Sequence, residues 1–311
     1  MAKKKQEKAK KTKHKLSYAN AIPVFISVVC VAVFSWFSLN TPTPKKTTIR
    51  DISVSAPTIA YCNDKDPSLT LEMYYPKIEL SSDLPLIVYI HGGGWRWGDE
   101  SGPLIDFYGS SFIKKGIAVA AIDYRLTSKS PYPDQNNDIA CALSYINNNA
   151  DQLHVDTKKI IYFGDSAGGQ LAAFAALNIP FHDYTYTAPV GVIDFYGVSD
   201  FSKIINGVHP DLNARRYLGK KYSTIAAQAS PVTYITKNAS RFIFFHGNKD
   251  LVVPISQSKT FYDKLIAAGV DSEYVVIDGA GHAFMGPELP AVEYKKIQDS
   301  LDVFLSQTIG K

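Results

Sequence analysis

A serine, an aspartate and a histidine stand at three places in this 311-residue chain where short apolar runs give way to turns. Ser166 lies in "GDSAG", Gly164 to Gly168, between the run "IIYF" and an alanine-rich stretch of helical composition. This G-x-S-x-G pattern sets a hydroxyl on a tight strand-to-helix turn, with glycines leaving room around it. A serine hydroxyl attacks a carbonyl only when a base takes its proton, so the chemistry needs a histidine oriented by a carboxylate. His282, in "GAGHAF" after the run "EYVVI", and Asp250, in "FIFFHGNKDLVVP", are each placed just past a strand-like run. A glycine run in "YIHGGGWRWGD" offers the N–H groups of Gly93 and Gly94; with that of Ala167 they would hold the oxyanion of a tetrahedral intermediate. Nucleophilic acyl transfer is the chemistry this set suits.

These residues need a scaffold that brings them to one edge. "PLIVYI", "IAVAAI", "IIYFG", "VGVIDF", "RFIFFH" and "EYVVI" are short continuous apolar runs, as expected of strands buried on both faces, whereas "LTLEMYY" (69–75) alternates with period two like a half-buried strand. Between them, Ile139, Leu143, Ile146 and Ala150, and again Tyr294, Ile297, Leu301 and Phe304, recur at helical spacing. Alternation of this kind predicts one doubly wound, mostly parallel sheet, with ligands at the carboxyl ends of its strands. Residues 198–240 separate two strands by more than a simple crossover needs, and are expected to form a small cap.

With 46% hydrophobic and 20% charged residues, the chain is globular rather than disordered. The first fifteen residues hold eight Lys and one Glu. Such a tail could bind nucleic acid, but Ala21 to Leu39 follows as nineteen residues without a charge, long enough to span a hydrocarbon core. The expected organisation is a Lys-rich cytoplasmic tail (1–20), a transmembrane signal-anchor (21–39), a linker (40–50) and a catalytic domain (51–311) on the extracytoplasmic side, with the membrane and a small-molecule substrate as partners and no nucleic acid. Secretion after cleavage of the span is the alternative. In an oxidising compartment Cys62 and Cys141 can pair, although an apolar helical setting favours Cys141 as a small buried hydrophobe.

"HGGGW", "DYRL" (Asp123 to Leu126), "GDSAGG" and "GHAF" resemble the esterase and lipase branch of the α/β-hydrolases that includes the hormone-sensitive-lipase family. "HGNKDLVVP" followed by "QSKTFYDKLIAAGV" is similar to bacterial acetyl and feruloyl esterases and dienelactone-hydrolase-like members. The resemblance implies an α/β-hydrolase fold and carboxylic-ester hydrolysis, with Ser166, Asp250 and His282 as triad and no metal or organic cofactor. No zinc-like cluster of Cys and His appears in the sequence. Amide hydrolysis, as in arylformamidases or serine peptidases, is the alternative, and a catalytically silent binding protein a more distant one. Trp95, Trp97 and Phe284 are expected either to line the substrate pocket or to wedge loops. Arg125 and Asp138 are expected to form structural ion pairs, and Asp165 to stabilise the start of the helix after the nucleophile. The polar 198–240 segment points to short acyl chains.

Overall fold

In a computed structural model the chain divides into two compact units, Met1–Lys46 and Thr47–Lys311. The structure describes residues 49–311 apart from 56, 63–65, 67–68, 79–82, 178–182, 206–211 and 287. The tail and span expected over 1–39 lie outside the described residues. Among those described, no helix is long and apolar enough to cross a membrane. The end of the expected linker belongs to the folded unit: Ile49 opens helix α1 (Ile49–Ile52) and is completely buried.

The strands are β1 (Ser53–Ser55), β2 (Ile59–Ala60), β3 (Thr70–Pro76), β4 (Leu84–Ile90), β5 (Ala118–Ile122), β6 (Val155–Asp165), β7 (Gly191–Phe195), β8 (Arg241–Gly247) and β9 (Glu273–Ile277). They form one sheet in the order β1-β3-β5-β4-β6-β7-β8-β9, with β2 also paired to β3. From β5 through β9 all pairings are parallel, and β3 joins β5 antiparallel. The continuous apolar runs are the parallel strands; β4, β5 and β7 are buried along their length because both faces are covered, whereas β9, expected to be buried as well, is the edge strand of the sheet and only Ile277 in it is fully buried.

Side chains of β4 alternate between two apolar layers. Leu86, Val88 and Ile90 enter the layer shared with α3 (Asp134–Asn148), α4 (Ala167–Ala176) and α8 (Ser256–Ala267); Ile87 and Tyr89 enter that shared with α2 (Pro103–Lys114) and α9 (Ala291–Ile309). Ile139, Leu143 and Ile146 bury the inner stripe of α3, while Ala150 falls past its end at Asn148. Ile297, Leu301 and Phe304 bury that of α9.

Within residues 198–240 the chain makes short helices, α5 (Phe201–Ile205), α6 (Leu212–Leu218) and α7 (Tyr222–Ala229). Gln257 of α8 ties down the entry to this segment: its side-chain oxygen accepts the N–H groups of Ser199 and Asp200 at 2.9 and 2.7 Å. Cys62 and Cys141 are joined as a disulfide, their Cα atoms 6.4 Å apart, linking the segment before β3 to α3. Burial pattern alone points the other way, because an apolar helical position carries no information on a partner 79 residues distant.

Candidate active site

The corner at Ser166 is built from close packing. A Cβ added to Gly168 would come within 2.0 Å of the Ile90 carbonyl oxygen at the end of β4, and one on Gly164 within 2.3 Å of Gly168 O. Only glycine lets α4 start this near the sheet. Ser166 takes φ 51°, a left-handed conformation that costs a residue with a side chain about 1–3 kcal/mol. The strain is held by neighbours: its N–H donates to Phe195 O at 2.8 Å, and its carbonyl accepts from Gln170 N at 3.2 Å.

Register brings the other corners to the same edge. Gly164, Asp194 and Phe244 are successive partners across β6, β7 and β8, and Gly247 pairs with Ile277 of β9. The loops after β8 and β9 therefore reach the serine. Ser166 Oγ lies 3.0 Å from His282 Nε2, and His282 Nδ1 lies 2.7 Å from Asp250 Oδ2. The other carboxylate oxygen accepts the N–H groups of Val252 and Val253 at 2.8 and 2.9 Å. Burial pushes the Asp250 carboxyl up, but hydrogen bonds from His246 and His282 outweigh it, and the group is held well below the ordinary carboxylate range. It stays ionised, which suits a partner for an imidazolium.

Beside them is the turn after β4. Gly93 takes φ 104° and its carbonyl accepts the N–H groups of Arg96 and Trp97, each at 3.1 Å. None of the backbone hydrogen bonds among the described residues uses the N–H of Gly93 or Gly94. His91, buried and stacked on Tyr124, meets Gly92 O through Nδ1 at 2.7 Å. Burial lowers its pKa to about 4, so its ring is neutral at ordinary pH.

Asp165 does not serve the helix start. Its Oδ1 accepts Tyr89 Oη–H at 2.9 Å and Gly92 N–H at 3.0 Å, clamping the glycine turn to the end of β6. Burial raises its pKa to about 6 against the opposing pull of these donors. Arg125 and Asp138 do pair, at 2.6 Å, fixing the "DYRL" loop to α3.

The three aromatic residues part company. Trp95 is 2% exposed; its Nε1–H donates to Gln170 Oε1 at 2.9 Å, and its ring stacks on Tyr217 of α6 at 4.6 Å. Phe284 is also buried, against Phe195 and Tyr196. Both wedge loops, and Trp97, 54% exposed, keeps an open ring under the Arg96 guanidinium. Two further residues near the histidine come to light only in the structure. Tyr196, at φ 46°, sets its ring 4.8 Å from that of His282, and His246 lies 3.3 Å from Asp250 Oδ2. The "HG" of "HGNKD" is visible in the sequence; nothing there distinguishes Tyr196.

Comparison with known proteins decides the family. Residues 71–265, well over half of the chain, match the BD-FAE family. The chain belongs to it. Ser166 and Asp250 fall inside the BD-FAE match and His282 beyond it. Over 205 residues the chain is 31% identical to a probable carboxylic ester hydrolase, LipM, of Mycobacterium tuberculosis, covering 61% of this chain and 47% of that protein. It is 28% identical to Esterase LipC of the same organism, covering 70% and 58%. The chain thus spans about half the length of the curated relatives it matches. Among solved structures, esterase Est2 of Thermogutta terrifontis superposes with a TM-score of 0.69 at 28% identity, covering 82% of this chain and 93% of that one. Est2 has also been solved with propionate and with butyrate bound.

Proposed function

We propose that this BD-FAE member is a serine carboxylesterase that hydrolyses short-chain acyl esters through an acyl-enzyme. The observation that carries the reading is the unbroken line from Ser166 Oγ through His282 to Asp250, beside a glycine turn. The named esterases among its relatives support it. As Ser166 Oγ attacks the ester carbonyl, His282 Nε2 takes the hydroxyl proton while Asp250 Oδ2 accepts Nδ1–H. The oxyanion is met by the N–H groups of Gly93, Gly94 and Ala167, the last at the positive end of α4. His282 then gives the proton to the departing alcohol. Water, deprotonated by the same nitrogen, attacks the acyl-serine, releases the acid and restores the hydroxyl.

The short-chain preference is supported by the shortness of helices α5 to α7, none of which among the described residues offers a long apolar stretch to cover an acyl channel, and by the propionate and butyrate held by Est2. Each methylene gains up to about 0.8 kcal/mol only where an apolar groove receives it. The test is kcat/KM over p-nitrophenyl acetate, butyrate, octanoate and palmitate, with formylkynurenine and a dipeptide amide alongside and Ser166→Ala as control. Acetate and butyrate should lead and Ser166→Ala should be inactive. A rise towards palmitate, faster amide turnover, or a tenth of the wild-type rate in Ser166→Ala would each defeat its part of the proposal.

The Lys-rich run, the uncharged stretch from Ala21 to Leu39 and the Cys62–Cys141 disulfide together support a catalytic unit held outside the cytoplasm by an amino-terminal anchor. Protease added to intact spheroplasts should digest the catalytic unit and spare the tail; protection of the catalytic unit would reverse the assignment.

A further inference from the structure

Asp250 is gripped by a second histidine to which the mechanism above gives no task. His246, near the end of β8, has no exposed surface. Its Nε2 lies 3.3 Å from Asp250 Oδ2 and 2.9 Å from the Val253 carbonyl oxygen. Both neighbours are acceptors, so Nε2 carries a proton, hydrogen-bonded to Val253 O with Asp250 Oδ2 as a longer, secondary acceptor. On the other side of the ring, Nδ1 meets Ser258 Oγ in the first turn of α8 at 2.7 Å, which fixes the ring plane. The oxygen that His246 faces is the same Oδ2 that receives His282 Nδ1–H, while Oδ1 is occupied by Val252 and Val253.

We infer that His246 is a positioning residue for catalysis: by donating Nε2–H to Asp250 Oδ2 it fixes the carboxylate and limits how tightly that oxygen holds protonated His282. The inference rests on the reading of Ser166, Asp250 and His282 as the triad. A carboxylate oxygen shared between two donors gives each less than it would give one alone. Without His246, Oδ2 turns wholly to His282, the imidazolium form is favoured, and the base returns to its neutral state at higher pH. The carboxylate also loses one of the contacts that fix its plane, the N–H groups of Val252 and Val253 and His282 remaining. Other groups face this pair: the Tyr196 ring stands against His282, and the Asp165 charge acts on it. Both are unchanged in every variant below, so neither accounts for a difference between variants.

The test measures kcat and KM for p-nitrophenyl butyrate across about pH 5 to 9 on the full chain and its His246→Leu, His246→Gln, Asp250→Asn and His246→Leu/Asp250→Asn variants. His246→Leu should lower kcat about ten- to a hundredfold with little change in KM, as expected for losing a hydrogen bond to a charged group. It should also move the acid limb of kcat/KM up by about half a pH unit. His246→Gln, whose amide N–H reaches the Nε2 position, should keep the wild-type limb. In the Asp250→Asn background His246→Leu should have little further effect, because the charge it acts through is gone. An unmoved limb, a glutamine variant no better than leucine, or an undiminished loss in the Asp250→Asn background overturns the inference. Full activity in Asp250→Asn would instead overturn the triad reading. If His246→Leu does not fold, His246→Asn, whose N–H falls short of Oδ2, replaces it with the same expected limb shift.

Discussion

Asp165 is the residue whose replacement tests the electrostatics of the corner most directly. Its carboxyl is raised from 3.8 to about 6 by burial. A tenfold change in proton affinity corresponds to about 1.4 kcal/mol, so keeping the group ionised at neutral pH costs the fold up to about 3 kcal/mol, an upper bound because the residue retains some exposed surface. Both hydrogen bonds it accepts end on Oδ1, so an asparagine with its carbonyl there keeps Tyr89 and Gly92 satisfied without the charge. Between pH 3.8 and about 6 the native state holds this proton while the unfolded chain has released it, so wild-type stability falls as pH rises through that window and stays lowered above it. Asp194 in the next strand, raised to about 7 by its own burial with the Asp165 charge adding, is eased as well. Asp165→Asn should therefore gain about 1 kcal/mol at pH 4.5 and about 2–3 kcal/mol at pH 7.5 by urea unfolding. A variant less stable than wild type at pH 7.5, or a gain equal at both pH values, would refute the reasoning.

Three further outcomes are expected. Gly168→Ala drives a methyl group to within 2.0 Å of Ile90 O and 2.5 Å of His91 O, both backbone atoms, and should lose about 3 kcal/mol or more in denaturant unfolding together with most ester turnover. Trp95→Phe leaves the buried Gln170 Oε1 without its indole donor and should cost about 1–3 kcal/mol, read as a lower Tm, while KM for a small ester stays near wild type. Replacing both Cys62 and Cys141 with serine opens a cross-link spanning 79 residues and should lower stability by about 2–5 kcal/mol, with reductant then having no further effect on the urea midpoint.

What can be read from sequence follows the range of the physics behind it. Strands buried on both faces announce themselves as apolar runs, so β4, β5, β7 and β8 are legible, and the half-buried edge strand β9 is apolar enough to be found with them, along with the strand ends carrying Asp250 and His282. The start of β6 is not: "VDTKK" is polar and partly exposed, and within it only Val155 pairs with β4, at Leu84, before the register shifts to Ile160. Asp165 is misread because sequence shows the helix one residue away and hides Tyr89, 76 positions earlier. The same blindness covers the disulfide and His246, whose roles depend on distances that no spacing rule encodes. Trp95 and Trp97, two residues apart, show the limit most plainly. One is sealed against Tyr217 and the other lies open, and the difference comes from the φ of +57° at Trp95 and from the α6 helix above it.

The three side chains of the proposed triad are carried by loops after β6, β8 and β9, and 116 residues separate Ser166 from His282. No segment of the chain holds the constellation locally, so it cannot exist in a partly assembled sheet. Four neighbouring strands must first find their register, against the entropy of closing every loop between them. The strained serine turn is likewise formed only when Phe195 of β7 is in place to receive its N–H. On the proposed function, a copy in which β8 and β9 have not docked lacks Asp250 and His282 at the serine and is expected not to turn over esters.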